Sequence, residues 1–348
     1  MELKKLKVLE LASVLAGPQV GSFFAELGAS VTKVENPTNK GDITRKWKLP
    51  SESSATKISA YYASTNTNKE ILWLDFSVKQ DFDKLHEEIQ GANIILVNFK
   101  PGDAEKFQLS YEDCKQLNPN LIYGEITGYG QKDKRTAFDM VLQAEAGYLS
   151  MNGTHNQMAK LPVAFIDLFA AHQLKEGILV ALLQNNRPCK VSVSLYDAAI
   201  ASLANQASNQ LMNNHTPTRL GTLHPNIAPY GEILEFRDNK KVVLAIGSDK
   251  QFRLLMEVLN IEPNTKFENN TSRVKFRKEI LEVLQESASK ITRNEFVAKC
   301  DELKIPVGEI KDLKEVFDTQ MAKDLIIEEI IEGEHVKKVK SAVFTISS

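Results

Sequence analysis

Asp167 is the first candidate for chemistry, because it is a single carboxylate in a stretch that otherwise avoids charge. The five residues before it, 162–166 (PVAFI), form an apolar run that predicts a short strand. Apolar residues after it, from Leu168 to Leu182, recur at helical spacing. Asp167 is therefore expected where a strand ends and a helix begins. A carboxylate there either caps the helix or is a reactive group, and on this stretch alone capping is the commoner role.

Three other segments combine small residues with polar or basic side chains where strands are predicted to end. They are 14–18 (VLAGP), 98–102 (NFKPG) and 128–130 (GYG). In a parallel sheet, loops after the strands share one edge, and ligands bind along it. Basic side chains on or near these segments could pair with the oxygens of a polyphosphate, although on spacing alone ordinary solvated surface residues are the better explanation. The basic residues are Arg45, Lys69, Lys100 and Lys106.

The elements that must position these residues form an alternating β-α pattern. Residues 6–11 predict a strand, 19–27 a helix that ends at Gly28, and 31–35 a second strand. The alternation continues to about residue 200, which indicates a parallel, Rossmann-like sheet. The turn after the first strand has one glycine and a proline instead of G-x-G-x-x-G, so NAD binding is not favoured.

Length and composition set the remaining limits. A chain of 348 residues favours two domains, and the Asn- and Gln-rich stretch 205–219 is the expected crossing between them. A net charge of -2 gives no global field for nucleic acid or an anionic membrane. Glu10 interrupts the apolar N-terminal run, so a signal peptide is not predicted, and no apolar segment is long enough to span a bilayer.

The three cysteines are widely spaced and include no CxxC pair or Cys/His cluster. The sequence therefore predicts no metal site and no disulfide framework, and it favours a reducing, cytoplasmic location. They are Cys114, Cys189 and Cys300.

A series of motifs follows in order over most of residues 6–260. Each motif is weak alone, but the ordered set resembles the class III CoA-transferases, the CaiB/BaiF family. The motifs are 8–18 (VLELASVLAGP), 27–35 (LGASVTKVE), 41–45 (GDITR), 66–69 (NTNK), 97–102 (VNFKPG), 127–130 (TGYG), 138–144 (FDMVLQA), Asp167 with its helix, 177–183 (GILVALL) and 228–231 (APYG).

The resemblance implies an α/β fold with a large Rossmann-like domain built from both chain ends and a smaller α+β domain. The expected bounds are 1–200 with 325–348 for the large domain, 220–324 for the small domain, and 201–219 for the linker. It also implies an obligate homodimer of two interlocked rings. Coenzyme A, as an acyl-CoA co-substrate, would be the only cofactor, and a small carboxylic acid would be the other partner.

In relatives the nucleophilic aspartate falls on Asp167. Such an aspartate, with an ordinary pKa, is ionised at neutral pH and can attack a thioester without a general base. An acyl-aspartyl anhydride and an aspartyl-CoA thioester would follow, with no need for ATP or a metal. The resemblance places CoA contacts on Val14, Leu15, Ala16, Arg45, Lys69, Leu74, Asn98, Phe99, Lys100, Lys106, Thr136, Ala137, Phe138 and Asp139.

Two alternatives remain open. The racemase branch of the family moves an α-proton with a histidine in the G-H-D-like motif, but Phe138 stands in that position here and cannot accept a proton. A catalytically silent CoA-binding relative would keep the fold and use Asp167 only as a cap. The segment 224–231 (HPNIAPYG) replaces the glycine run of formyl-CoA transferase, which argues against formyl/oxalate exchange. The sequence does not name the donor or the acceptor acid.

Overall fold

The computed structural model describes residues 2–130 and 133–347 and divides the chain into two compact units. The first unit contains Met1–Tyr148, Lys160–Thr216 and Met321–Ser348, and the second contains Leu149–Ala159 and Pro217–Gln320.

The first unit is built on a six-stranded sheet in which every pair of neighbours is parallel. The strand order is β3-β2-β1-β4-β5-β8, and all four residues of the central strand β4 are buried, because helices cover both faces. The predicted α/β class with a parallel sheet is therefore confirmed. The strands are β1 (Lys7–Glu10), β2 (Ser30–Glu35), β3 (Glu70–Trp73), β4 (Ile94–Val97), β5 (Ile122–Thr127) and β8 (Cys189–Ser194).

The described part of this unit also contains helices and a hairpin. The hairpin pairs β12 (Ile326–Ile331) with β13 (Glu334–Val339). No helix in the described ranges combines the length and apolar composition needed to cross a membrane. The helices are α1 (Ala16–Glu26), α2 (Ala60–Ala63), α3 (Lys79–Gly91), α4 (Asp103–Lys106), α5 (Tyr111–Leu117), α6 (Asp139–Glu145), α7 (Tyr148–Met151, which crosses into the second unit), α8 (Phe165–Gln184), α9 (Leu195–Ala201) and α10 (Ala204–Asn213).

Helix α8 packs against α1, α9 and the strands β5 and β8. The approach to β8 is close, because a Cβ on Gly177 would lie 2.5 Å from Cγ1 of Val191. The strand predicted over residues 162–166 is wrong, since α8 already begins at Phe165. The backbone N–H groups of Leu161 and Ile166 bond to side chains of α6 rather than to a neighbouring strand.

The second unit has an antiparallel sheet of β9 (Tyr230–Glu235), β10 (Lys241–Ala245) and β11 (Val307–Glu309). Strands β9 and β10 follow each other in the chain and form an antiparallel hairpin. Buried apolar residues between this sheet and the helices form one core. The helices are α11 (Asp249–Val258), α12 (Asn270–Lys275), α13 (Arg277–Ala288), α14 (Arg293–Glu302), α15 (Leu313–Phe317) and α16 (Gln320–Lys323, which crosses into the first unit).

The segment Leu149–Ala159 lies within the range 1–200 but groups with the second unit. It forms a small hairpin, β6 (Gly153–Thr154) with β7 (Gln157–Met158). Gly221 donates its N–H to the carbonyl of Gly153 at 2.8 Å, and Arg219 donates to three carbonyls of the same segment. These bonds tie the segment to the chain that follows residue 216.

A buried network of charges joins the strands of the first unit to the loops at their carboxyl ends. The Lys33 ammonium lies 3.1 Å from both Glu10 and Asp42 and donates to the carbonyl of Ala12 at 2.8 Å. The Lys69 ammonium contacts the second oxygen of Glu10 at 2.7 Å. These charges are removed from water, so each depends on its partners to offset the cost of desolvation.

Replacing Glu10 with glutamine should therefore leave two buried ammonium groups without their shared carboxylate. We expect Glu10→Gln to lower the free energy of unfolding by about 3–5 kcal/mol, measured by urea denaturation. The exposed pair Glu2–Lys5 supplies the control, since Glu2→Gln should change the urea midpoint little. A loss as small as that of the control would show that Glu10 is dispensable to the fold.

Candidate active site

The sheet order reverses between β1 and β4, and open parallel sheets bind ligands in the crevice at such a point. Asn98, directly after β4, spans this crevice. Its side-chain oxygen accepts the N–H of Ser13 at 2.9 Å, and its amide donates to the carbonyl of Ser13 at 2.7 Å. Asn98, a predicted CoA contact, thus fixes the loop after β1.

The same loop is held from its other side. Val14 has a φ of 73°, a region that β-branched residues rarely enter, and it donates its N–H to Asp42 at 3.1 Å. Asp42 is in turn anchored by Lys33. The side chains of Leu15 and Ala16 are buried where α1 begins, so a ligand would meet their backbone amides rather than their side chains.

Asp167 lies in the first turn of α8 and does not cap it. The cap position belongs to Ala164, which makes no side-chain capping bond. The Asp167 carboxylate is half-buried and has no hydrogen bond or ion pair with any residue in the described part of the chain. The capping role considered for Asp167 is therefore wrong.

Asp139 performs the capping instead. One of its oxygens accepts the N–H of Ile166 at 2.8 Å, and the other accepts the side-chain amide of Gln143 at 2.6 Å. Gln143, fully buried, uses its own oxygen to accept the N–H of Leu161 at 2.8 Å. The segment that leads into α8 is thus held by two polar side chains of α6. Asp139, predicted as a CoA contact, has this positioning role.

The electrostatics of the site differ from the sequence-based expectation. Burial, and then the nearby negative charge of Asp139, raise the pKa of Asp167 to about 7. The expectation of an ordinary pKa is corrected accordingly. Burial and the charges of Asp167, Asp139 and Asp42 also raise the pKa of Tyr61 to about 12. The Tyr61 phenol therefore stays protonated and can donate a hydrogen bond in this field.

Tyr61 is absent from the sequence-based list of predicted contacts, but it lies close enough to Asp167 and Asp139 for their charges to raise its pKa. Its ring packs edge-on against Trp47 with centroids 5.0 Å apart, and it is half-buried. Its neighbour Tyr62 is buried completely and donates to Glu35 at 2.5 Å. The sequence signal was the tandem pair, in which only one member can face the core.

The remaining predicted contacts differ in exposure. Leu74 is buried in the core at the end of β3, and Phe99 packs against Phe107 with ring centroids 6.4 Å apart. Ala137 packs closely against Gly128, since a Cβ added to Gly128 would lie 2.5 Å from the Cβ of Ala137. The others lie at the surface and could meet a ligand: Lys100, Lys106, Thr136 and Phe138.

Two further predicted contacts are cations that the structure pairs with carboxylates. The Lys69 ammonium is buried. It donates to Glu10, to the carbonyl of Pro18 and to the side-chain oxygen of Asn66, and these three bonds use all three of its N–H groups. Arg45 is buried and bonds to Glu35 at 2.6 Å and to Glu332 at 3.0 Å. Both cations therefore have carboxylate partners within the chain, and their contact with CoA stays a prediction.

Within residues 2–130 and 133–347, no group of three or more His, Cys, Asp or Glu side chains is arranged to hold a metal ion.

Comparison with known proteins gives the chain its family. The sequence profile of CoA-transferase family III matches residues 3–347. A succinate–glutarate CoA-transferase of Agrobacterium fabrum is 34% identical over 90% of this chain and 81% of its own length. The human succinyl-CoA:glutarate CoA-transferase is 30% identical over 90% of this chain and 73% of its own.

A crystal structure of a CaiB/BaiF family protein from Brucella suis has the same fold. Its TM-score is 0.87 at 31% identity, covering 99% of this chain and 92% of that chain. The sequence and structural matches define the class, an enzyme that transfers CoA. The chain belongs to CoA-transferase family III, the CaiB/BaiF family, and the resemblance found in the sequence motifs is confirmed.

The raised pKa of Asp167 predicts a specific dependence of stability on pH. The folded protein keeps a proton that the unfolded chain releases, so wild type loses stability as the pH rises from about 4 to about 7. Asp167→Asn does not ionise and escapes this loss. The free energy of unfolding of Asp167→Asn minus that of wild type should therefore be higher at pH 8 than at pH 4, measured by urea denaturation. An equal difference at both values would show that Asp167 titrates normally; solvent screening of this half-buried group reduces the size of the effect.

Proposed function

We propose that the protein moves CoA from an acyl-CoA thioester to a free carboxylic acid, with Asp167 as the nucleophile. The observation that carries this proposal is a carboxylate in the first turn of α8 that has no partner in the described structure, because Asp139 performs the capping. A carboxylate that is neither paired nor needed by its helix is suited to covalent catalysis.

The proposed sequence balances without a net proton. A carboxylate oxygen of Asp167 bonds to the acyl carbon, and the C–S bond breaks to give an acyl-aspartyl anhydride and CoA thiolate. The thiolate attacks the aspartyl carbonyl and expels the donor acid, leaving an aspartyl-CoA thioester. The acceptor carboxylate then attacks the aspartyl carbonyl, and the C–S bond breaks to give a second acyl-aspartyl anhydride and CoA thiolate. The thiolate attacks the acceptor's carbonyl and expels the Asp167 carboxylate. The products are a new acyl-CoA and free Asp167.

The local environment supports this chemistry. A raised pKa makes the ionised Asp167 a stronger nucleophile, and it places the acid limb of the rate near pH 7. The protonated Tyr61 phenol can donate to oxygen atoms on which negative charge develops, as can backbone amides in the first turn of α8. A half-buried site also limits the entry of water, which would hydrolyse an anhydride.

We propose that CoA lies along the carboxyl edge of the sheet, where the turns after β1, β4 and β5 meet. The relatives named above are described as using succinate or succinyl-CoA with glutarate. Short dicarboxylic acids are therefore the first substrates to test here. Free cysteines, two of them buried, fit a reducing compartment such as the cytoplasm.

The test is CoA exchange between succinyl-CoA and a panel of free acids. We expect Asp167→Asn to lower the best rate by at least about a thousandfold, because the amide cannot form the anhydride. Glu176→Gln, an exposed change on the same helix, is the matched control and should leave the rate nearly unchanged. Full exchange by Asp167→Asn would contradict the proposal, and α-proton exchange with deuterated water in its place would indicate the racemase alternative.

We also propose that the protein is an obligate dimer of interlocked chains, with a large domain formed from both chain ends. Apolar side chains on α8 and α10 are exposed on the single chain, among them Leu183 at 86% and Leu211 at 83%. Apolar surfaces of this kind favour burial against another chain.

Light scattering should report the mass of two chains at every concentration tested. Two differently tagged preparations should form mixed dimers only after unfolding and refolding together, because linked rings cannot separate while folded. A monomer, or mixed dimers formed without unfolding, would contradict the interlocked arrangement.

A further inference from the structure

The segment 224–228 (HPNIA) of the second unit has no role in the proposed reaction and lies outside the helices and strands. Side chains of the helices that follow it in the chain hold its backbone. Arg277, the first residue of α13, donates from Nη2 to the carbonyl of His224 at 2.7 Å and to the carbonyl of Ile227 at 2.5 Å. One guanidinium nitrogen therefore fixes two carbonyls of the segment.

Residues of α12 hold the remainder of the segment. The Asn270 side chain donates to the carbonyl of Asn226 at 2.8 Å and accepts the N–H of Ala228 at 3.1 Å. Arg273 donates to the carbonyl of Ala228 at 2.8 Å and pairs with Asp249 at 2.5 Å. Asp249 is exposed to water, whereas the carboxylate that faces Arg277 is buried.

The buried carboxylate is that of Glu232 on β9. Neither of its oxygens makes a hydrogen bond with any residue in the described part of the chain. Nε of Arg277 lies 3.3 Å from Oε1 of Glu232, so the two groups attract each other through their charges. Burial raises the pKa of Glu232 above its usual value, while the positive charge of Arg277, more than the nearby backbone amides, opposes this rise. The ionised form of Glu232 therefore depends on the cation beside it.

The other charged groups near Glu232 have partners of their own. On β10, Lys241 pairs with Glu235, and both side chains are exposed. On α12, Arg273 has the surface carboxylate described above. The imidazole of His224 belongs to the held segment, where its Nδ1 accepts a backbone N–H at 3.1 Å. Because this imidazole also titrates, an experiment on the segment must separate its effect from that of Glu232.

Proton uptake by Glu232 and release of Arg277 favour each other. If the Arg277 side chain moves into water while Glu232 stays buried on β9, the acid loses the charge that stabilises its ionised form and holds a proton more tightly. If Glu232 is protonated first, the guanidinium remains partly buried without a counter-charge, and water solvates it better. The coupling is reciprocal, as for any two linked equilibria.

We propose that Glu232 and Arg277 form an acid-sensitive clamp on the 224–228 segment. While Glu232 is ionised, Arg277 stays in place and the carbonyls of His224 and Ile227 keep their donor. When Glu232 takes up a proton, Arg277 leaves, both carbonyls lose this donor, and the segment becomes mobile. The clamp lies within the second unit and does not depend on the proposed transfer.

Hydrogen–deuterium exchange of the full chain at about pH 8 and about pH 4.5 tests the clamp, because an ordinary glutamate has a pKa of about 4.3. The readout is the protection factor of a peptide covering 224–228, which corrects for the intrinsic effect of pH on exchange. For wild type we expect protection about tenfold lower at the lower pH. Peptides of the β9–β10 ladder are the internal reference and should keep their protection. Equal protection of the segment at both pH values, or an equal loss in the ladder, overturns the proposal.

Variants assign the effect to one residue. Glu232→Gln copies the protonated acid, so its segment should have low protection at both pH values. Glu235→Gln, an exposed change on the same strand, is the matched control and should behave as wild type does. A pH dependence that persists in Glu232→Gln overturns the proposal, because it would then come from His224.

A second variant decides the matter should Glu232→Gln fail to fold. Arg277→Lys keeps a positive charge beside Glu232 but lacks the guanidinium whose Nη2 reaches both carbonyls. Its segment should have about tenfold lower protection than wild type at about pH 8. Protection equal to that of wild type would show that Arg277 does not hold the segment, and the proposal would be refuted.

Discussion

The hydrogen bond from the Ile166 N–H to the carboxylate of Asp139 determines what Asp167 can do. A helix start needs acceptors for its free N–H groups, and an aspartate in the first turn is well suited to supply one. Here Asp139 supplies it from another helix, at 2.8 Å, and Gln143 holds the adjoining segment. Asp167 is thereby released from capping and left without a partner in the described chain. The negative charge of Asp139 also helps to raise the pKa of Asp167.

The second constraint is the buried network of charges beneath the loops. Glu10, Lys33 and Asp42 link the first two strands to the strained backbone at Val14, and Asn98 fixes the same loop from β4. Because the charges are buried, they tolerate little displacement. The loops beside the crevice between β1 and β4 are therefore held in place by the chain itself. A substrate bound there, as we propose, would be positioned at a lower entropic cost.

Much of the framework could be predicted from the sequence. Strands such as β4 are short apolar runs buried on both faces, and α5 begins with a Ser110–Asp113 capping box, so local patterns are sufficient. The role of Asp167 could not be predicted in that way. The sequence around Asp167 is typical of a helix cap. The residue that accepts the capping hydrogen bond is instead Asp139, which lies 27 positions before Ile166 in the chain. The ion pairs of Lys69 and Arg45 could not be predicted for the same reason, since their carboxylate partners, Glu10 and Glu35, end strands β1 and β2.

The central claim is that the free carboxylate of Asp167 forms a covalent bond during transfer. The most direct measurement is mass spectrometry of the protein after brief incubation with succinyl-CoA alone, followed by acid quenching and digestion. We predict a peptide containing Asp167 that carries CoA as a thioester, formed with release of free succinate and absent from Asp167→Asn. Turnover without any CoA adduct at Asp167, or the same adduct at another residue, would contradict the account.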